Sequence, residues 1–177
     1  MTHRSRIALI TTGGTIEKTY DELGGVLSNR VSNLDVMLAN LQTDGVALTR
    51  VSLMNKDSLD LTEGDIRLIA TTVEHMTAEH DGVVVVHGTD RLAETGHRLQ
   101  EELSGLACPV VMTGAMRPYE LRQTDAVQNL TEALLGVQLL GPGVWCVMHG
   151  RALPFPGVRK DRDRMTFVHE DDTGADR

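Results

Sequence analysis

The sequence predicts an α/β fold of three layers, a mainly parallel sheet with helices on both faces. Three observations predict it. Short, continuously apolar runs, Ile7-Ala8-Leu9-Ile10 and Val83-Val84-Val85-Val86 foremost, suit strands buried on both faces. Stretches of helical period alternate with such runs, joined by short connections. Finally, the runs break into glycine and threonine, where backbone N–H groups can approach a small ligand. In open α/β sheets, ligands sit beyond the carboxyl ends of the strands.

In chain order, strand one is Ile7 to Ile10, followed by a Gly-rich loop through Gly24-Gly25. Leu34, Met37, Leu38 and Leu41 mark one face of a short helix, and Val46 to Leu53 reads as the second strand. Thr62-Glu63-Gly64-Asp65 has the form of a capping box, with Ile66, Ile69, Ala70, Val73 and Met76 as the apolar stripe of a helix ending before Asp81-Gly82. The third strand ends at His87. A helix covers Leu92 to Leu103, and Pro109 to Met112 is a fourth strand opening into Thr113-Gly114-Ala115-Met116-Arg117-Pro118. A helix from Asp125 to Leu139, the turn Gly141-Pro142-Gly143 and a fifth strand from Val144 to Met148 complete the alternation. Beyond His149, prolines and the mixed charge run Arg159 to Arg164 predict an irregular tail, about 158–177, with its last residues from Glu170 poorly ordered. The whole, 1–177, reads as a single domain.

At this length a domain buries about 70% of the surface of its unfolded chain and needs no disulfides. Cys108 and Cys146 fit buried free thiols in a reduced cytoplasm. With 17 basic and 25 acidic residues the net charge is −8, which disfavours a broad nucleic-acid or anionic-membrane surface and leaves a small polar molecule as the natural partner. The basic start, Met1 to Arg6, is followed by an apolar run too short for a secretory leader, and no stretch is long enough to span a bilayer. His87, His97 and His149 form no metal-ligand pattern. Gly13-Gly14-Thr15 lacks the G-x-G-x-x-G spacing of a dinucleotide site, and no G-x-x-x-x-G-K-[ST] occurs.

Three motifs carry the functional reading: Thr12-Gly13-Gly14-Thr15-Ile16, His87-Gly88-Thr89-Asp90 and Gly114-Ala115-Met116-Arg117-Pro118. Together, in this order and at strand ends, they resemble the amino-terminal, catalytic domain of the bacterial L-asparaginase family. Full-length members carry a second, carboxy-terminal domain, so the resemblance implies a short form of the family. It implies hydrolysis of L-asparagine to L-aspartate and ammonia through a threonine acyl-enzyme, with L-glutamine the weaker substrate and no cofactor or metal. Carried over residue by residue, Thr15 is the nucleophile with Tyr20 from the loop, and Thr89, Asp90 and Lys160 form a second group. Lys160 is placed by counting without a gap from Met148. Ser58 matches the serine that holds the substrate's carboxylate, and Gly14, Leu59, Gly88 and Ala115 are expected to line the substrate. Periplasmic-type members have a glutamine where this chain has Leu59, which removes a polar contact to the substrate's amino end.

The residue chemistry is consistent with this. A threonine hydroxyl needs a base to accept its proton, and an amide carbonyl needs donors aimed at the oxyanion that develops. Desolvation of a lysine favours its neutral, basic form while a nearby carboxylate favours the charged one, so Lys160 and Asp90 are given a joint role in proton relay and orientation. Whether Thr15 or Thr89 makes the covalent bond is left open by the residues; the resemblance favours Thr15. Thr89-Asp90 would also serve as a helix cap, Ser58 as a turn serine and Lys160 as one member of a solvated charge run. Two other functions remain: an asparagine or aspartate sensor that has lost turnover, and a glutaminase-type subunit supplying ammonia to a transferase. Family members build the site at a subunit contact to which the second domain contributes, so oligomerisation is expected to differ here, with a homodimer or homotetramer as the default symmetric solution.

Overall fold

The computed structural model describes residues 4–29 and 32–172. The chain runs β1 (Ser5–Gly13), β2 (Thr19–Asp21), β3 (Val26–Ser28), α1 (Leu34–Ala39), β4 (Val46–Lys56), α2 (Glu63–Thr77), β5 (Gly82–Val86), α3 (Leu92–Glu102), β6 (Pro109–Thr113), α4 (Ala126–Leu139), β7 (Gly143–Met148), β8 (Arg151–Pro154), β9 (Val158–Asp161) and β10 (Thr166–His169). Six strands form one sheet in the order β4-β1-β5-β6-β7-β8, parallel except for the edge strand β8.

Alternation along the buried strands sorts the core into two halves. Ala8 and Ile10 of β1, Val83 and Val85 of β5, and Val110 and Met112 of β6 face α2 and α3. Ile7 and Leu9, Val84 and Val86, and Val111 face α1 and α4. Every residue of β5 and β6 is buried, as strands with helices on both faces require. The Thr62 hydroxyl accepts from Asp65 N at 3.2 Å while Asp65 Oδ2 accepts from Thr62 N at 2.8 Å, so α2 starts with the expected capping box. Cys108 and Cys146 are buried free thiols. Among the described residues, no helix is long and apolar enough to cross a membrane.

Two segments differ from expectation. The loop carrying Tyr20 contains a hairpin, β2 paired antiparallel with β3. Asp21 makes its turn, accepting from Leu23 N and Gly24 N at 3.1 and 3.2 Å through Oδ1, with Gly25 in the left-handed region at φ 65°. The segment expected to be an irregular tail also forms a hairpin, with Lys160 opposite Phe167. Its charge run concealed the apolar anchors: Val158, Phe167 and Val168 are buried, and Val158 and Phe167 join the core on the α2–α3 face. Residues 173–177, expected to be poorly ordered, lie outside the described residues.

Strand order decides where a site can form. From β1 the chain crosses to β4 on one side, then returns to β5 on the other. The order is that of a doubly wound sheet with its switch point between β1 and β5, and the crevice opens at their carboxyl ends. Thr15 follows β1 and Thr89 follows β5.

Candidate active site

The end of β1 carries an irregularity. Register with β4 shifts between Thr11 and Gly13, and Gly13 has φ 99° with its α-carbon so close to the Lys56 backbone that no side chain fits. Gly14 N donates to Lys56 O at 2.8 Å, and Thr15 then opens a short 3-10 turn, Thr15–Glu17. Thr12 ties the two central strand ends together, its hydroxyl donating to Val86 O at 2.9 Å.

Gly14, Gly88 and Ser58 meet where these ends converge. A Cβ on Gly14 would strike the Gly88 backbone, and one on Gly88 would lie 2.6 Å from both Cβ and Oγ of Ser58. Ser58 is buried in a 3-10 turn whose Asp57 carboxylate accepts from Leu59 N at 3.2 Å. Gly114 packs on the His87 carbonyl and lies close to the Thr89 methyl, and Ala115 beside it is buried. His87 itself is buried. Its Nδ1 lies 2.8 Å from Gly88 O, which can only accept, so Nδ1 donates and Nε2 accepts from the Thr95 hydroxyl at 3.0 Å. Burial pushes its pKa down to about 4, keeping the ring neutral at pH 7.

Lys160 reaches this cluster from the other end of the chain. Its Nζ donates to Thr89 Oγ1 and to Asp90 Oδ1, both at 2.9 Å, and Arg162 also approaches Asp90 Oδ1, at 3.3 Å. The hairpin that carries it is fixed on α3. Gly96 leaves room for the Phe155 ring, His97 stacks edge-on against the same ring at 5.1 Å between centroids, and His97 Nε2 accepts from Gly157 N at 3.1 Å.

The structure thus brings together Gly14, Ser58, Gly88, Thr89, Asp90, Ala115 and Lys160, with Thr15 directly after Gly14. Two of the expected residues stand outside this packing. Tyr20 is 56% exposed on the β2–β3 hairpin, bordering a cavity of about 470 Å³ with Leu27 and Glu120. Leu59 is 66% exposed on its turn.

Several residues not singled out from the sequence hold the hairpin and the Thr15 turn in place. Glu17 is buried, accepting from Gly13 N at 2.8 Å and the Ser32 hydroxyl at 2.6 Å; burial pushes its carboxyl up despite these bonds. Asn29 donates to Gly14 O at 2.9 Å, and Lys18 to Asp57 at 2.8 Å. The Lys18 hydrogen bond holds the Asp57 carboxyl below its usual range. A separate cavity of about 410 Å³, lined by Leu41, Val46, Leu134 and Leu135, lies at the amino end of β4, away from these strand ends, and is mainly apolar.

A family model described as "Asparaginase, N-terminal" matches residues 6–166. The chain belongs to the asparaginase family. It is 30% identical to the L-asparaginase of Thermococcus kodakarensis over 140 residues, 79% of this chain and 43% of that protein. It is 31% identical to a glutamyl-tRNA(Gln) amidotransferase subunit of Thermoplasma acidophilum over 134 residues, 73% of this chain and 32% of that protein. The solved structure of the thermostable L-asparaginase from Thermococcus kodakarensis matches with a TM-score of 0.80 at 29% identity, covering 88% of this chain and 47% of that one. This asparaginase-family chain therefore spans less than half the length of these relatives. The matched segment takes in all of the six-stranded sheet but Ser5, and the strand that carries Lys160.

Proposed function

We propose that this domain is an amidohydrolase converting L-asparagine and water to L-aspartate and ammonia, with L-glutamine the weaker substrate. The observation that carries the reading is the hydrogen-bonded chain Thr89–Lys160–Asp90, set beside the Gly14–Thr15 turn at the switch point of the sheet. In this reading Thr15 Oγ attacks the side-chain amide carbon, and its proton is passed through the Thr89, Lys160 and Asp90 group to the departing nitrogen. N–H groups at the glycine-rich strand ends stabilise the oxyanion. The C–N bond breaks, ammonia leaves, and water cleaves the Thr15 ester to release aspartate. Ser58 holds the substrate carboxylate, Gly14, Gly88 and Ala115 line the bound amino acid, and Tyr20 acts with Thr15 when the hairpin closes. Leu59 leaves the amino end of the substrate with fewer polar contacts. No metal or cofactor enters the scheme. The domain works in the cytoplasm as a homodimer or homotetramer, its thiols reduced.

Ammonia release from L-asparagine by the purified chain, with Thr15→Ala alongside, tests this. Turnover that falls by orders of magnitude in the variant supports it. Binding of asparagine or aspartate without ammonia release by the unaltered chain overturns it in favour of a sensor. The likeness to an amidotransferase subunit favours a second reading, an ammonia-releasing subunit of glutaminase type, which a preference for L-glutamine over L-asparagine would select.

A further inference from the structure

The turn between β7 and β8 holds an unusual residue. Met148 pairs with Arg151, so His149 and Gly150 alone make the connection, with φ of 54° and 72°. This matches a two-residue type I′ hairpin turn, where asparagine, aspartate and glycine are favoured and a histidine is strained. Both nitrogens of its ring are engaged. Nε2 donates to Asp125 Oδ2 at 2.7 Å, and Nδ1 lies 2.9 Å from the Thr166 hydroxyl.

Asp125 is as irregular as its partner. It stands at the position before α4 where an aspartate ordinarily caps its own helix, yet its side chain makes no capping bond, and Thr124 Oγ1 accepts from Ala126 N instead. The buried carboxylate turns back to accept from Met116 N and Arg117 N, both at 2.9 Å, and from Asn129 Nδ2 at 2.8 Å. Burial alone would raise its pKa, but the bonds from His149, Met116 and Arg117 outweigh that and hold the carboxyl well below the usual range. Asn129 also donates to Gly114 O at 2.9 Å and accepts from His149 N at 3.2 Å. The Gly114–Arg117 segment is therefore held by Asp125 and Asn129, and both are held by His149.

The two ends of this network lead toward Thr89 by different routes. A Cβ on Gly114 would lie 3.4 Å from the Thr89 methyl carbon. Thr166 lies on β10 next to Phe167, the residue paired with Lys160.

We propose that His149 is a positioning residue of the active site, bridging Asp125 and Thr166 so that the Gly114–Arg117 segment and the Lys160 hairpin hold a fixed separation around Thr89. The proposal rests on the amidohydrolase reading above. A residue that served only the turn would affect stability and leave catalysis alone.

Three single variants and one double variant test it. Thr166→Val removes the hydroxyl at constant shape, Thr166→Ser keeps it, and His149→Asn retains a side chain that accepts positive φ without being able to bridge both partners. With misalignment of the reacting groups as the cause, kcat for L-asparagine is expected to fall about tenfold in Thr166→Val and His149→Asn, with KM within about twofold of the unaltered value. Thr166→Ser should keep full activity. The double variant His149→Asn/Thr166→Val should be no slower than the slower single one, because both sever one bridge. Unchanged kcat in the two folded variants, or equal impairment by valine and serine, overturns the proposal. Lack of turnover in the unaltered chain defeats the amidohydrolase reading instead, and amide hydrogen exchange then decides on positioning. Faster exchange at Met116 and Arg117 in His149→Asn sustains it; unchanged exchange refutes it.

Discussion

Lys160 Nζ lies 2.9 Å from Thr89 Oγ1, although 71 residues separate the two in the chain. The contact joins the strand end at the switch point to the last hairpin of the fold, and Asp90 completes it by accepting from the same nitrogen.

Lys160→Met keeps the stem of this side chain and removes its three donors. Loss of a positioned proton-transfer group typically lowers turnover by about 10²- to 10⁴-fold, and a drop of this size is expected in ammonia release. Retained turnover would move the proton relay elsewhere.

Gly88→Ala places a methyl group 2.6 Å from Ser58. Neither the backbone of β5's end nor the buried serine can move freely, so a loss of about 1–3 kcal/mol in urea denaturation is expected, the usual range for overpacking. Aspartate affinity should fall with it. An unchanged unfolding midpoint would show the strand ends to be packed loosely enough to admit a methyl group.

Gly96→Ala should reverse the ordinary rule for helices. Within a helix, alanine in place of glycine gains about 1 kcal/mol. Here the added carbon overlaps the Phe155 ring, which helps to seat the hairpin carrying Lys160 on α3. The expected outcome is a lower melting temperature together with a lower kcat, although no part of Gly96 enters the Thr89–Lys160–Asp90 chain. A more stable, fully active variant would contradict this.

His87 predicts a pH dependence. Its folded pKa of about 4 lies below the ordinary 6.5, so the unfolded chain binds the extra proton first. The stabilisation is complete above pH 6.5 and is lost as pH falls toward 4, by about 3 kcal/mol in all at 1.36 kcal/mol per pKa unit. Glu17, whose carboxyl is raised by burial, acts in the opposite sense, losing stability as pH rises through its folded value. Urea midpoints at pH 7, 5.5 and 4 should decline, and His87→Gln should flatten the decline across this window. An equal slope in the variant would assign the effect to other groups.

The sheet was legible because each buried strand is a short apolar run closed by glycine, and α2 because Thr62 and Asp65 stand three apart. That Gly14 and Thr89 lie near one another was legible because motifs at neighbouring strand ends converge at the switch point; Ser58 was placed only by the family resemblance. The Lys160 hairpin was hidden by its own charges, since arginines and aspartates flank the lysine and only Val158, Phe167 and Val168 betray the buried side. His149 carried no signal. Its role depends on an aspartate that declines to cap its own helix, and on Thr166, and nothing local in the sequence encodes either relationship.

The order of these parts along the chain has a consequence for control. The sheet, the Ser58 turn and both threonines are all in place before β9 begins, and the lysine arrives on a short hairpin outside the six-stranded sheet. Such an element can open locally at a fraction of the free energy of global unfolding. If the domain is an amidohydrolase, binding and turnover are separable in this architecture. Under the amidohydrolase reading, a cut in the turn between Asp161 and Thr166, or any contact that pries the hairpin from α3, is expected to leave a folded domain that keeps amino-acid binding and loses ammonia release.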